Sequence, residues 1–165
     1  MSLVEYTIRT ATGADAPTLG ALRAPMASEW AEEGQTTPER FAAFKSQAEQ
    51  YYAIQIERGA VRAWLTVSAE RQPVAAASAL LLPYPPSLFH LDQVHERVVA
   101  YIFGVYTDPA HRRRGLARQL METIDTWGRA SGIDRLELRS SPEGQPLYES
   151  LGFESFEMLR LRLGR

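Results

Sequence analysis

A chain of 165 residues, 45% hydrophobic and 23% charged, has the size and balance of one folded unit around one core. Its net charge of −2 lacks the broad basic field of a nucleic-acid binder, and the absence of cysteine excludes disulfides, thiolate metal sites and a cysteine nucleophile. No apolar run approaches the ~18 residues of a membrane span, and residues 1–30 lack the charged-then-apolar pattern of a secretory signal. These features give the expectation of a cytoplasmic protein with no metal and no nucleic-acid or membrane partner. No linker, repeat or low-complexity tract breaks residues 1–165, so a single domain is expected.

Residues 4–10 alternate and are β-rich, which predicts a first strand. Thr12 or Asp15 caps a helix to about Arg23, which Pro25 ends. Residues 30–37 read as a loop or frayed helix. Thr37 then caps a helix with Pro38 at its first position, and Phe41, Phe44, Ala48 and Tyr51 or Tyr52 recur at helical spacing before Gly59. Two apolar β-prone runs, 61–69 and 74–82, flank Glu70-Arg71-Gln72-Pro73 and predict a hairpin, with Pro83 stopping the second strand. A loop to about Glu96 carries Phe89, His90 and His95. Residues 98–107 give the strongest strand pattern, and Gly104 within it predicts a bulge. From Gly115 a helix runs to about Ser131, with Leu116, Leu120, Ile124 and Trp127 on one stripe and Arg118–Glu122 and Asp125–Arg129 paired outside. A strand at 133–139, a short helix at 144–151 and a last strand at 153–163 complete the chain. Interspersed strands and helices of this kind predict an α+β (α/β layered) fold with a mixed sheet.

The turn between the 98–107 strand and its helix carries the chemistry. His111-Arg112-Arg113-Arg114-Gly115 sets cations where a helix dipole disfavours them. Amides at a helix start have no partners within the helix, and with the dipole they form a phosphate site. Gly115 adopts positive φ at little cost and lets an anion approach the backbone, while arginines at the rim grip phosphate oxygens. A polyphosphate ligand makes the cationic helix end tolerable. The stretch is neither a Walker loop nor a dinucleotide fingerprint, because no Gly-Lys-Ser/Thr and no G-x-G-x-x-G occurs there.

Arg112-Arg113-Arg114-Gly115-Leu116-Ala117 resembles the R/Q-x-x-G-x-G/A motif of the GCN5-related N-acetyltransferases. The segment Gln145-Pro146-Leu147-Tyr148-Glu149-Ser150-Leu151-Gly152-Phe153 resembles that family's LYEKLGF segment, in the right order and at the usual separation. The resemblance spans about residues 98–155. It implies a mixed, mostly antiparallel sheet of six to seven strands flanked by helices, with a splay between the two central strands. It implies acetyl-CoA as acyl donor, held by the backbone of Val105, Tyr106 and Thr107 along its pantetheine arm. Its pyrophosphate would meet the turn from Arg112, Arg113, Arg114 and Gly115 through Leu116 and Ala117, with Arg118 just beyond.

The implied reaction is direct attack of a primary amine of a small molecule or peptide on the thioester, through a tetrahedral intermediate. Tyr148 matches the tyrosine that protonates the departing thiolate. Ser141 stands where many relatives have a cofactor-touching asparagine. Residues 98–106 contain no Asp or Glu, so the general base is unassigned among Tyr101, His90, Asp92, His95 and Glu96. Glu29, Trp30, Glu32, Glu33, Tyr51, Tyr52, Tyr84 and Phe89 fall in the regions that contact acceptors in relatives, and they suggest a cationic, partly apolar amine. The family also implies a possible homodimer. The alternative reading is a non-catalytic acyl-CoA-binding sensor of the same fold.

Overall fold

The computed structural model describes residues 5–32, 35–85 and 97–163. Its strands β1 (Thr7–Thr10), β2 (Val61–Val67), β3 (Pro73–Tyr84), β4 (Arg97–Thr107) and β5 (Arg135–Leu138) form one sheet in chain order. The pairings β1–β2, β2–β3 and β3–β4 are antiparallel, and β4–β5 is parallel. A parallel step needs a crossover. Helix α3 (Leu116–Ala130) supplies it, burying Leu116, Leu120, Met121 and Ile124 beside Ala75, Ala77, Ala79, Ala100 and Ile102 of the sheet. On the opposite face, α1 (Ala16–Glu29) and α2 (Pro38–Glu57) bring Leu19 and Tyr52 against Ala63, Leu65 and Ala76. The alanine run of β3 is buried on both faces, because its small side chains let both layers approach the backbone. Helix α4 (Gln145–Ser150) follows β5.

Most predicted elements are present, with shifted ends. Thr37 caps α2 by accepting the Arg40 amide at 3.2 Å. Both exposed i,i+4 pairs of α3 form. Gly104, at φ 64, marks a bulge in β4 where the register to β3 shifts between Ala76 and Ser78.

Three expectations are corrected. Pro25 does not end α1, which continues to Glu29. The proline removes one amide donor, while Leu19, Gly20 and Ala24 keep that helix face buried. Pro83 does not stop β3 but lies within it, opposite Val98. Pairing with β2 ends at Leu80, so a strand past that point needs no donor on that side. The sheet has five strands among the described residues rather than six to seven, because 153–163 forms no strand. Leu159, Leu161 and Leu163 are exposed there. Apolar alternation proposes a strand, but ladder partners make one. The loop with Asp92, Glu96, Phe89, His90 and His95 lies outside the described residues, as does Glu33.

Candidate active site

The β4–β5 ladder is short. It runs from Val99↔Arg135 to Ile102↔Leu138, after which β4 continues to Thr107 alone on that side. The edge opens because β5, the last strand of the sheet, itself ends at Leu138. The Asp108 amide donates to the Val74 carbonyl at 2.8 Å, so strand alternation turns the backbone groups of Thr107 and Val105 toward the open edge. Tyr106 points its ring inward and is buried, with its hydroxyl held above the usual phenol range by that burial and then by the Glu29 carboxylate.

The open edge leads into the arginine turn. Arg113 and Gly115 both take positive φ, 63° and 78°, and α3 starts at Leu116. Two left-handed residues just before a helix start gather successive amides into an anion-binding concavity. A Cβ built on Gly115 meets nothing within 4 Å, so the space beside the turn is open. Leu116 is buried and anchors the helix, while Ala117 is partly buried.

The arginine side chains divide. Arg113 is exposed beside the turn. Arg112 reaches away from it: Nη2 binds Glu29 of α1 at 2.6 Å, Nε donates to the Thr107 carbonyl at 2.9 Å, and the guanidinium lies over the Tyr106 ring. Arg114 donates to the Tyr6 hydroxyl at 3.1 Å. Arg118 donates to Ser150 Oγ at 2.7 Å and so ties α3 to α4. Of the sequence-predicted cationic side chains, then, Arg112, Arg114 and Arg118 have protein partners, and the turn's backbone is what stays available. Ser141 is likewise engaged. Its hydroxyl accepts the Gly144 amide at 3.1 Å and its carbonyl the Gln145 amide at 3.0 Å, which starts α4.

Helix α4 carries Tyr148, whose ring meets Phe153 edge-on and packs on the same core cluster as Val105 and Leu138. Burial pushes its hydroxyl above the usual phenol range, which keeps the proton on oxygen through neutral and mildly basic pH. Tyr101 faces Glu137 across the β4–β5 ladder, and Glu137 is buried and bound by Arg135 Nε at 2.6 Å. The sequence reading passed over Glu137, because it searched for acids only on β4 and the loop before it.

Of the expected acceptor residues, Glu33 and Phe89 lie outside the described residues and Glu32 is exposed, its carboxylate accepting from Gln35 at 3.1 Å. Glu29 is paired with Arg112, Tyr52 is in the core, and Arg135 lies over Tyr84. Trp30 and Tyr51 are exposed. Sequence reading also missed Arg23, which projects from the buried face of α1 and lies over Phe103 at 5.2 Å. Its signal was present: it falls four residues after Leu19, on a stripe that is otherwise apolar or small.

A sequence profile described as the acetyltransferase (GNAT) family matches residues 25–153. The chain belongs to this family. Among solved structures, a GCN5-related N-acetyltransferase from Ralstonia eutropha JMP134 superposes with TM-score 0.78 at 23% identity, covering 96% of this chain and 99% of that one. A predicted acetyltransferase from Clostridium acetobutylicum, solved with acetyl-CoA, gives 0.79 at 20%, covering 96% of each. At these identities the likeness establishes the GNAT fold. By sequence, an aminoglycoside N(6')-acetyltransferase type 1 of Salmonella typhimurium is 34% identical over 62 residues, 36% of this chain and 43% of the relative. A glucosamine 6-phosphate N-acetyltransferase of Trypanosoma brucei brucei is 37% identical over 68 residues, 41% of this chain and 46% of the relative. The matches thus span less than half the length of either curated relative. No helix among the described residues is long and apolar enough to cross a membrane, and those residues hold no cluster able to bind a metal ion.

Proposed function

We propose that the protein is an acetyl-CoA-dependent N-acetyltransferase that acts on a primary amine of a small molecule. One observation carries this reading: the open edge of β4 past Ile102 runs directly into a turn with two positive-φ residues and the free amides of α3. The fit is chemical. An extended amide-bearing arm matches an unpaired strand edge, and a diphosphate matches a helix start whose amides lack partners. The Clostridium acetobutylicum neighbour was solved with acetyl-CoA, and two relatives are named for acetylation of amino groups on sugars.

In this reading the acetyl thioester lies at the mouth of the splay beside Gly104 and Val105. The neutral amine forms a bond to the acetyl carbon. A backbone amide near Val105 donates to the oxygen that becomes negative. The carbon–sulfur bond then breaks, and Tyr148 gives its proton to the thiolate; the proton from the amine leaves to water, and solvent reprotonates Tyr148. The raised pKa keeps Tyr148 protonated, and so able to donate, through neutral and mildly basic pH.

Release of free CoA thiol, followed across amino acids, amino sugars, polyamines, aminoglycosides and peptides, tests the reading. Turnover with at least one class is expected. Tight CoA binding with no thiol release across the whole panel would contradict catalysis and favour the sensor reading.

A further inference from the structure

Behind the β4 bulge sits a partly buried positive charge that the proposed reaction does not use. Among the described residues, Nη1 of Arg23 is buried with no hydrogen-bond partner. Arg9, Arg97, Arg112, Arg118, Arg129 and Arg135 each pair with a described carboxylate, and Arg23 pairs with none of those described. A guanidinium nitrogen held from water without a hydrogen-bond partner is costly. A Cβ built on Gly104 would stand 3.2 Å from Arg23 Nη1 and 3.1 Å from the Tyr52 hydroxyl, so both groups fill the space a side chain would take. The Tyr52 hydroxyl is itself held by Ser78 at 3.2 Å. The guanidinium plane covers Phe103, and Tyr51, half exposed, meets Phe103 edge-on. Arg23 opposes the rise that burial causes at both tyrosine hydroxyls, at Tyr51 through its charge and at Tyr52 through its charge and a side-chain hydrogen bond.

The position gives the charge its meaning. Phe103 and Gly104 are the first β4 residues past the last rung to β5. That is where the acetyl carbon would meet the amine, on the sheet face covered by α1 and α2.

We propose that Arg23 is the specificity-determining residue of the acceptor site, and that the acceptor is an amine that also bears a carboxylate or phosphate group. This inference rests on the acetyltransferase reading. The anionic oxygens supply the partly buried guanidinium with the counter-charge that the described residues do not. The aromatic pair Tyr51 and Phe103 flanks the carbon skeleton. A polyamine acceptor meets a like charge at the same place and is disfavoured. This differs from the cationic acceptor expected from sequence; of the glutamates that suggested it, Glu29 is spent on Arg112.

Matched acceptors differing in one anionic group provide the test: glucosamine 6-phosphate against glucosamine, and an α-amino acid against its amide. The wild-type protein is expected to prefer the anionic member of a pair by about tenfold or more in kcat/KM, the worth of one charged hydrogen bond. Arg23→Gln should abolish that preference mainly through KM, leave calorimetric acetyl-CoA affinity unchanged, and act little on the uncharged member. Arg23→Lys should restore part of the preference. Equal rates for both members in the wild type, or equal losses for both in Arg23→Gln, would overturn the proposal. The wild-type comparison stands even if a variant fails to fold. If no amine releases thiol although acetyl-CoA binds, the acetyltransferase reading itself fails, and this inference with it. Turnover of polyamines alone overturns only the inference.

Discussion

The two flanks of β4 are built from different materials. Toward β5, the groups proposed to face the donor are backbone: the open edge past Ile102 and the amides of the Arg113–Gly115 turn. Toward α1 and α2, the groups proposed to face the acceptor are side chains brought from several elements, Arg23, Tyr51 and Phe103, backed by the buried Tyr52–Ser78 pair. A backbone site depends on conformation and tolerates many sequences except where a residue must take positive φ. A side-chain site changes with any of its members. One fold can therefore keep its donor while its acceptor varies, which fits the different amines named for the two relatives.

Changes on each flank separate these roles. The largest effect is expected from Tyr148→Phe, the one side chain the donor flank needs, which should lower kcat by about a hundredfold, the lower end for a lost proton donor. Acetyl-CoA affinity should stay unchanged by calorimetry. Because burial raises the Tyr148 pKa, the proton stays on above the ordinary phenol value of about 10. A kcat profile in the wild type should thus show no loss of the acid as pH rises through 9 to 10.

Gly115→Val should weaken acetyl-CoA binding about 10- to 100-fold, the size of 1–3 kcal/mol of strain at a positive φ, while the far-UV spectrum is retained. Unchanged affinity would mean that the turn is not the donor site. Gly104→Ala should cost about 1–3 kcal/mol of stability in a denaturant titration, since the residue holds φ 64 and its Cβ would press on Tyr52 and Arg23. A neutral result would show that the bulge relaxes freely.

The smallest effect is expected where the flanks touch. Glu29→Gln removes the 2.6 Å pair with Arg112, whose side chains are 45% and 41% exposed, so stability should change by less than about 1 kcal/mol. A larger loss, or a strong change in acetyl-CoA affinity, would show the flanks to be coupled through Arg112.

The strand, turn and helix proposed to hold the donor were legible in sequence because their signals are local. A strand, a proline turn, a cationic stretch ending in Gly115 and an apolar helical stripe lie in one continuous segment, and Gly104 announced its bulge. The partners of the arginines were not legible: Glu29, Tyr6 and Ser150 are distant in the chain, and only the fold brings them to Arg112, Arg114 and Arg118. Prolines misled twice, since Pro25 and Pro83 sit where the missing donor is tolerated by burial or by an unpaired strand edge. The strand expected at 153–163 failed for the converse reason: its alternation is present, but no described strand pairs with it. The acceptor flank gave least, because Arg23 and Tyr52 come from separate helices and their meeting at Gly104 is a tertiary event.

The central claim is that the donor lies along β4 and ends at the α3 turn. Backbone amide spectra of the isotopically labelled protein, titrated with CoA, test it most directly. The largest shifts are expected at residues 113–118 and 103–107, with little change in β1 and β2. Saturable binding whose shifts avoid both segments would contradict the account.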